Sequence, residues 1–438
     1  MRVHGGVPGA ARDAAFQIRQ QVERGRRLDV ALGSAFTGLS QRDRAFAHDL
    51  TYGVTRLRGR LDHLIGAHVH KGIDSLLPGV LEVLRLGAYQ LLYMGSVPTY
   101  AAVSESVDRA TSLAGKGAGG LVNAVLRRVG EAGYGEEHFP SFTDDPAGFL
   151  STWGSHPGWM VARWLERWTP AEVRALVESN NRQPSVYLVP LDRTADEARV
   201  VLVEAGLHCE SVADVDGCLR LNSGTPAEAL DVLPCALVQD PAAYLVVRYA
   251  DVPPGTKVAD LCAAPGGKAL VAAAGARYTL AADRSERRIR MVRENAKRTQ
   301  SRIGCVVADA AHPPFVDADV VLVDVPCTGT GTLARHPDAR WRLREDSIAE
   351  LAEVQRRFLD AAASSVAPGG LLVYSTCTLE PEENDETVDA FLATHPEFRS
   401  EATEAVQARF IDGRGRLAVL PHQSGFDGSF AARLRRQA

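Results

Sequence analysis

The sequence predicts a multidomain chain: an all-α bundle at the N-terminus, a small mixed α+β subdomain, and a doubly wound, mostly parallel α/β domain at the C-terminus. Three observations predict it. Apolar residues recur at three- and four-residue spacing up to about residue 130, the helical period. A stretch rich in Gly, Pro and acidic residues, GEEHFPSFTDDPAG, then interrupts the pattern. From about residue 240 short apolar runs alternate with helical segments, the rhythm of βαβ units on a parallel sheet. These changes place the bundle at 1–140, a linker at 141–158, the mixed subdomain at 159–238 and the α/β domain at 239–438.

The elements follow in order. Ser40-Gln41-Arg42-Asp43 is a capping-box pattern, and Leu50, Val54, Leu57, Leu61, Leu64 and Ile65 follow it at helical spacing. A second stripe runs through Val80, Val83, Leu84, Leu91 and Leu92 until Val97-Pro98-Thr99 breaks it and opens the next helix. Gly117 to Gly120 precede a helix containing Leu121, Val125 and Leu126. The mixed segment reads as a helix over 161–179, a strand over 185–191 and a helix over 195–205. In the α/β domain the strands are expected at 257–261, 278–282, 304–308, 320–323 and 370–375, with helices at 268–274, 285–299 and 348–366. Ligands in such folds bind beyond the carboxyl ends of the strands, so the chemistry belongs in the loops that follow them.

Bulk properties narrow the function classes. Hydrophobic residues make up 45% and charged residues 24%, as in an ordinary globular protein. No apolar run reaches the ~18 residues of a membrane span, and the N-terminus, MRVHGGVPGAARDAAF, lacks a leader's apolar stretch. A cytoplasmic protein with no membrane partner is expected. The seven cysteines are sparse and none falls in a C-x-x-C pair, which argues against a disulfide framework and against a metal site. The net charge is -5, yet residues 1–140 hold 17 Lys+Arg against 13 Asp+Glu. A basic N-terminal part is compatible with an RNA partner, and also with an ordinary solvated surface.

The first αβ loop, Cys262-Ala263-Ala264-Pro265-Gly266-Gly267-Lys268, leaves a strand and enters a helix. Its glycine pair lets a ligand approach the backbone, and the helix N-terminus offers N–H groups to a carboxylate. It is not G-x-G-x-x-G, and Ala269 stands where a P-loop needs Ser or Thr, so no Mg-phosphate site is indicated. Asp283 and Asp309 follow the next two strands, placed for ribose hydroxyls and an adenine edge. Singly, each Asp reads equally well as a helix cap. Together they describe a nucleoside cofactor without phosphates, and S-adenosylmethionine fits.

Cys327 and Cys377 each sit just past a strand end, in Asp324-Val325-Pro326-Cys327 and Ser375-Thr376-Cys377. A lone cysteine is usually a buried small hydrophobe, the reading given to Cys209, Cys218, Cys235 and Cys305. Two cysteines in polar loops on the cofactor side suggest chemistry. C5 of cytosine is a poor nucleophile until a thiolate adds to C6, and a carboxyl group at N3 stabilises the adduct. Cys377, Asp324 and the 262–268 loop are candidates for the thiolate, the acid and the cofactor site. The target base must leave its stack to enter such a pocket.

DLCAAPGGK, DVPCTGTGTLARHPDARW and YSTCTLEPEEN resemble the signature loops of the RsmB/Sun family of bacterial 16S ribosomal RNA cytosine-C5 methyltransferases. The stretches GAYQLLYMGSVPTYAAVSESV and GLVNAVLRRV are similar to the RNA-binding factor NusB. The resemblance covers nearly the whole chain. It implies an all-α NusB-like bundle, a small α+β subdomain and a Rossmann-like S-adenosylmethionine-dependent methyltransferase domain. It also implies roles. Cys262, Ala263, Ala264, Pro265, Gly266, Gly267 and Lys268 would line the methionine part of the cofactor. Asp283 would hold the ribose with Arg288 nearby, and Asp309 would meet the adenine. Asp324 would sit beside cofactor and base. Cys377 would attack, and Cys327 would assist its release from the methylated base. The implied partner is 16S ribosomal RNA, naked or in an early assembly intermediate. Departures are Ala269 in place of a threonine and the lack of an arginine near 187–191; Phe430 stands where an aromatic is usual. The rivals are an amino-group methyltransferase, which would show Asn-Pro-Pro-Tyr instead of Asp324-Val325-Pro326-Cys327, a methyltransferase for transfer RNA or 23S RNA, and a non-catalytic assembly factor.

Overall fold

A computed structural model describes residues 9–438. The first eight residues of the expected 1–140 bundle, which also begin the segment read for a leader, lie outside the described residues. The chain forms two compact units. The first comprises residues up to Arg182 together with Leu333–Leu343; the second holds Gln183–Thr332 and Arg344–Ala438.

The first unit is helical: α1 (Ala10–Glu23), α2 (Leu28–Ala35), α3 (Gln41–Arg56), α4 (Arg58–Gly66), α5 (Pro78–Tyr93), α6 (Thr99–Ala114), α7 (Lys116–Ala132), α8 (Pro146–Thr152), α9 (Gly158–Leu165) and α10 (Pro170–Asn181). Ser40 caps α3 by accepting a hydrogen bond from the Asp43 amide, 3.1 Å. Pro78 starts α5, where the missing N–H costs nothing. The stripe Leu50, Val54, Leu57, Leu61 and Ile65 is buried against Val80, Val83 and Leu84, while Leu91 and Leu92 pack half-buried at its edge. Under this apolar core Glu82 sits between Arg19 and Arg85, with Arg19 fully buried.

Two expectations here need correction. Residues 141–158 are not an open linker: α8 lies within them, and its Phe149 and Leu150 are fully buried. The single helix expected over 161–179 is two helices, because Thr169 and Glu172 form a reciprocal capping box with Pro170 at the first helical position. Apolar periodicity continues through that break, so spacing alone does not reveal it.

In the second unit a small antiparallel sheet comes first. Its strands are β1 (Val186–Pro190), β2 (Cys209–Ser211), β3 (Leu219–Leu221) and β4 (Ala236–Val238), in the order β2-β3-β1-β4. Two helices, Ala195–Glu204 and Pro226–Val232, start at capping boxes built on Thr194 with Glu197 and Thr225 with Glu228. They bury Ala198, Leu202 and Ala229 against Leu188, Leu219 and Ala236.

The larger sheet has eight strands: β5 (Lys257–Asp260), β6 (Tyr278–Asp283), β7 (Ile303–Val307), β8 (Ala318–Asp324), β9 (Val366–Thr376), β10 (Phe398–Ser400), β11 (Leu417–Val419) and β12 (Ser429–Arg436). The order is β10-β12-β9-β8-β5-β6-β7, with β11 paired to β12. β5 to β9 are parallel, and β12 adds antiparallel to β9. The five predicted strands lie where expected, and β9 begins four residues earlier at Val366. Val321, Val323, Leu372 and Tyr374 fill the centre and are almost completely buried, as strands covered on both faces require. The chain winds one way from β5 to β7 and the other way through β8 and β9. The switch between β5 and β8 is where such folds bind ligands.

Candidate active site

The loop after β5 is held open by its own backbone. The Leu261 amide bonds to Leu322 O at 3.0 Å and the Ala263 amide to Ala282 O at 2.9 Å, tying the loop to both neighbouring strands. Gly266 has φ of 109°, the left-handed region, where a side chain would be strained. A Cβ there would also lie 3.2 Å from Val292. The helix Gly267–Ala273 begins at this turn. Arg288, largely exposed, donates to Ala264 O and pairs with Asp283 at 3.1 Å, bracing the loop against the end of β6.

A cavity of about 380 Å³ opens beyond β5 and β8. Residues 262–265 and 267–268 line it together with Gln239, Asp260, Arg298 and Asp324. The Lys268 ammonium reaches Asp324 Oδ2 at 2.8 Å, and Ser375 donates to Asp324 Oδ1 at 2.9 Å. Burial alone would lower the Lys268 pKa, but the Asp324 charge outweighs it and the pKa is raised. Lys268 therefore stays a cation that fixes Asp324. Asp260 is almost completely buried, and its Oδ2 has no hydrogen-bond partner among the described residues. Burial, reinforced by the Asp324 charge and opposed by Lys268, pushes the Asp260 pKa up to about 7. Burial and the neighbouring carboxylates raise the Cys262 thiol, so it remains neutral.

Beside Asp324 the two cysteine loops converge. Cys327 Sγ and Cys377 Sγ are 3.3 Å apart, and the Cys377 amide donates to Cys327 Sγ at 3.4 Å. The hydrogen bond to Cys377, followed by burial, drives the Cys327 pKa well above the ordinary thiol range. Cys327 is thereby kept a thiol. The Lys268 cation is favoured in turn by its interaction with Cys377.

Of the residues named from the sequence, the fold gathers the 262–268 loop, Asp324, Cys327 and Cys377 around one end of the sheet. Asp283 ends β6 and Asp309 lies two residues past β7, and neither lines the cavity. Each caps a local turn, Asp283 at the Ser285 amide and Asp309 at the Ala311 amide, both at 2.9 Å. Asp260, Gln239 and Glu383 join the site without a role assigned from the sequence. Asp260 opens the glycine loop and was legible as a carboxylate at a strand end. Gln239 comes from the end of β4, which no motif links to β5. Glu383 is one of three glutamates in EPEEN, two of them buried, and only the fold shows that Glu383 bonds to both cysteine loops.

Comparison with known proteins agrees with the domain order. Residues 9–131 match the NusB family, 156–228 the ferredoxin-like domain of RsmF/B-like methyltransferases, and 250–435 the 16S rRNA methyltransferase RsmB/F family. The chain is 35% identical to the probable ribosomal RNA small subunit methyltransferase B of Synechocystis sp., over 98% of this chain and 99% of that protein. It is 33% identical to ribosomal RNA small subunit methyltransferase B of Cronobacter sakazakii, over 96% and 97%. The crystal structure of PH0851 superposes with a TM-score of 0.78 at 25% identity, covering 99% of this chain and all of that one. Fold and comparisons define the class: a Rossmann-like S-adenosylmethionine-dependent methyltransferase joined to a NusB-type helical domain. Within that class the chain belongs to the RsmB/Sun family of 16S rRNA methyltransferases, as the signature loops implied.

Proposed function

We propose that this protein transfers a methyl group from S-adenosylmethionine to C5 of one cytosine in 16S ribosomal RNA, through a covalent bond between Cys377 Sγ and C6. The observation that carries the reading is the pair of sulphurs 3.3 Å apart beside an Asp324 fixed by Lys268 and Ser375. The cofactor fits the residues present. Asp260 Oδ2 is buried, without a hydrogen-bond partner among the described residues and on the cavity wall, suited to a cationic amine, and the start of the helix Gly267–Ala273 suits a carboxylate. When bound, S-adenosylmethionine supplies an electrophilic methyl group.

The chain's own residues do the rest. Cys377 as thiolate adds to C6, which pushes electron density to C5. Asp324 is the candidate carboxyl for N3 of the ring, held in place by Lys268. Once C5 carries the methyl group, a base takes the C5 proton, the S–C6 bond breaks, and the electron pair returns to Cys377. Cys327, kept as a thiol, stands within reach to hydrogen-bond or protonate the departing sulphur. Asp283 with Arg288, and Asp309, are proposed to close on the ribose and adenine. The helical domain is proposed to hold the RNA. An unstacked loop cytosine in naked RNA or an early assembly intermediate suits the pocket better than one covered by ribosomal proteins.

Two variants test the thiols. Cys377→Ala should abolish transfer and keep cofactor binding, whereas Cys327→Ala should trap a protein–RNA adduct, seen as a nuclease-sensitive slow band on a denaturing gel. Full activity in Cys377→Ala, or a trapped adduct in that variant, would overturn the assignment. Bisulfite sequencing of ribosomal RNA with and without the protein tests the substrate: loss of one 16S site is expected, and loss at a transfer RNA or 23S site would move the target.

A further inference from the structure

The sheet stops setting the geometry of the two cysteines one residue past β8. Asp324 is the last residue of β8 in register with β9, and the Val325 amide still bonds to Ser375 O at 3.1 Å. Beyond that the loops carrying Cys327 and Cys377 diverge from the ladder. What joins them is a buried hydrogen-bond network: the Thr328 and Thr378 hydroxyls meet at 2.7 Å, the Leu379 amide donates to Thr330 at 2.9 Å and the Gly331 amide to Cys377 O at 3.0 Å. At its centre lies one carboxylate. Glu383 is completely buried. Its Oε2 accepts from the Thr328 amide at 2.9 Å and from Gln355 Nε2 at 2.7 Å. Its Oε1 accepts from the hydroxyls of Thr378, at 2.9 Å, and Thr328. Gln355 also donates to Pro326 O at 3.0 Å. One carboxylate thus reaches the residue after each cysteine directly, and the residue before Cys327 through Gln355.

We propose that Glu383 is a positioning residue that clamps the two cysteine loops together, so that Cys327 stays within reach of the Cys377 sulphur as it leaves C6. This rests on the two-thiol reading above. Tyr374 holds the clamp by donating to Glu383 O at 2.6 Å and to Gln355 Oε1 at 3.3 Å. A carboxylate is an expensive filler for a buried space, since an apolar side chain would avoid the desolvation cost. That cost is visible in the Glu383 pKa, which burial raises even though four hydrogen bonds oppose it. The two amide donors cannot accept in return, but the two threonine hydroxyls can rotate to do so. A glutamine at 383 therefore still fits, with its oxygen toward Thr328 N and its NH2 toward the hydroxyls.

The test uses the full chain and a readout that needs no RNA. Glutathione disulfide oxidises the pair: two protein thiols give up two protons and two electrons, forming one Cys327–Cys377 disulfide and two molecules of glutathione. Peptide mapping follows its rate. Glu383→Gln should form the disulfide at nearly the wild-type rate, and Glu383→Ala at least roughly tenfold more slowly. Methyl transfer by Glu383→Ala should fall in kcat by on the order of 10²-fold, the cost of about 1 Å of misplacement, with KM for RNA unchanged. If Glu383→Ala does not fold, Thr378→Val removes one arm of the clamp and should slow the disulfide in the same direction. A folded Glu383→Ala, or failing that Thr378→Val, with the wild-type disulfide rate overturns the proposal, as does a Glu383→Gln as impaired as the alanine. A slowed disulfide with no cytosine methylation in any variant, wild type included, would keep the clamp and sink the functional reading instead.

Discussion

Replacing Gly331 with alanine should damage the site without touching a reactive group. Gly331 follows the Cys327 loop, and its backbone lies against two other strands of chain. A Cβ at this position would come 2.7 Å from Gly428 Cα and 2.8 Å from Cys377 O. Both neighbours are backbone, so no side chain can swing away. The Gly331 amide donates to Cys377 O at 3.0 Å and the Gly428 amide donates to Gly331 O at 2.7 Å, so relief of the clash stretches one bond or the other. Ordinary van der Waals contact requires a retreat of somewhat under about 1 Å. Overpacking of this kind costs about 1–3 kcal/mol, which lowers the melting temperature of a unit this size by roughly 2–12 °C. If Cys377 gives way, methyl transfer drops by on the order of 10²-fold; if the Gly428 segment gives way, stability falls and the rate holds. Gly428→Ala makes the reciprocal clash, with Gly331 Cα at 2.7 Å and the Leu379 side chain at 2.9 Å. Thermal denaturation with single-turnover transfer measures both effects. A Gly331→Ala protein with wild-type melting temperature and rate would refute the reasoning.

Three further outcomes are expected. Asp260 has its folded pKa raised to about 7 from 3.8, so its contribution to stability is full below about pH 4 and is lost as the pH rises toward 7. Asp260→Asn removes that slope and should gain on the order of 4 kcal/mol relative to wild type at pH 8, read from urea unfolding at several pH values; parallel curves would contradict it. Glu82 behaves oppositely: burial raises its pKa, but Arg19 and Arg85 outweigh that and lower it, so its stabilisation is present above about pH 4.5 and fades in acid. Glu82→Gln removes the buried anion between Arg19 and Arg85, which keep Glu23 and Asp62 as partners, and should cost about 1–3 kcal/mol at neutral pH, checked by denaturant melts of the full chain. Arg340, fully buried in the first unit, donates to Ser155 O, Asn180 O, Leu333 O and Asn181 Oδ1 at 2.8–3.2 Å. Arg340→Leu should cost about 3 kcal/mol by stranding those acceptors, and Arg340→Lys should rescue little, because one ammonium cannot span the set; an unchanged melting temperature in Arg340→Leu would show that water or another donor replaces it.

Local pattern determined much of this protein. The helical stripes around Leu50–Ile65 and Val80–Leu84 read directly as core, because an amphipathic period has one way to bury its apolar side. The five parallel strands were legible because strands covered on both faces are nearly continuous apolar runs. The glycine loop, Asp324, Cys327 and Cys377 were legible because each lies in a motif whose residue types are unusual for a plain loop. Short strands such as β10 and β11, three residues each, were not, since no period fits in three residues. Tertiary structure alone decided what joins residues distant in sequence. It placed Leu333–Leu343 with the helical unit, so a cut at residue 141 would remove α3, to whose Thr55 O the Trp341 indole donates. It left Asp283 and Asp309 off the cavity wall that Gln239 and Asp260 complete. It also brought two sulphurs fifty residues apart to 3.3 Å and put Glu383 between their loops. Periodicity encodes which face is buried, but the identity of a buried partner depends on how strands diverge after their last ladder bond, and no local pattern carries that.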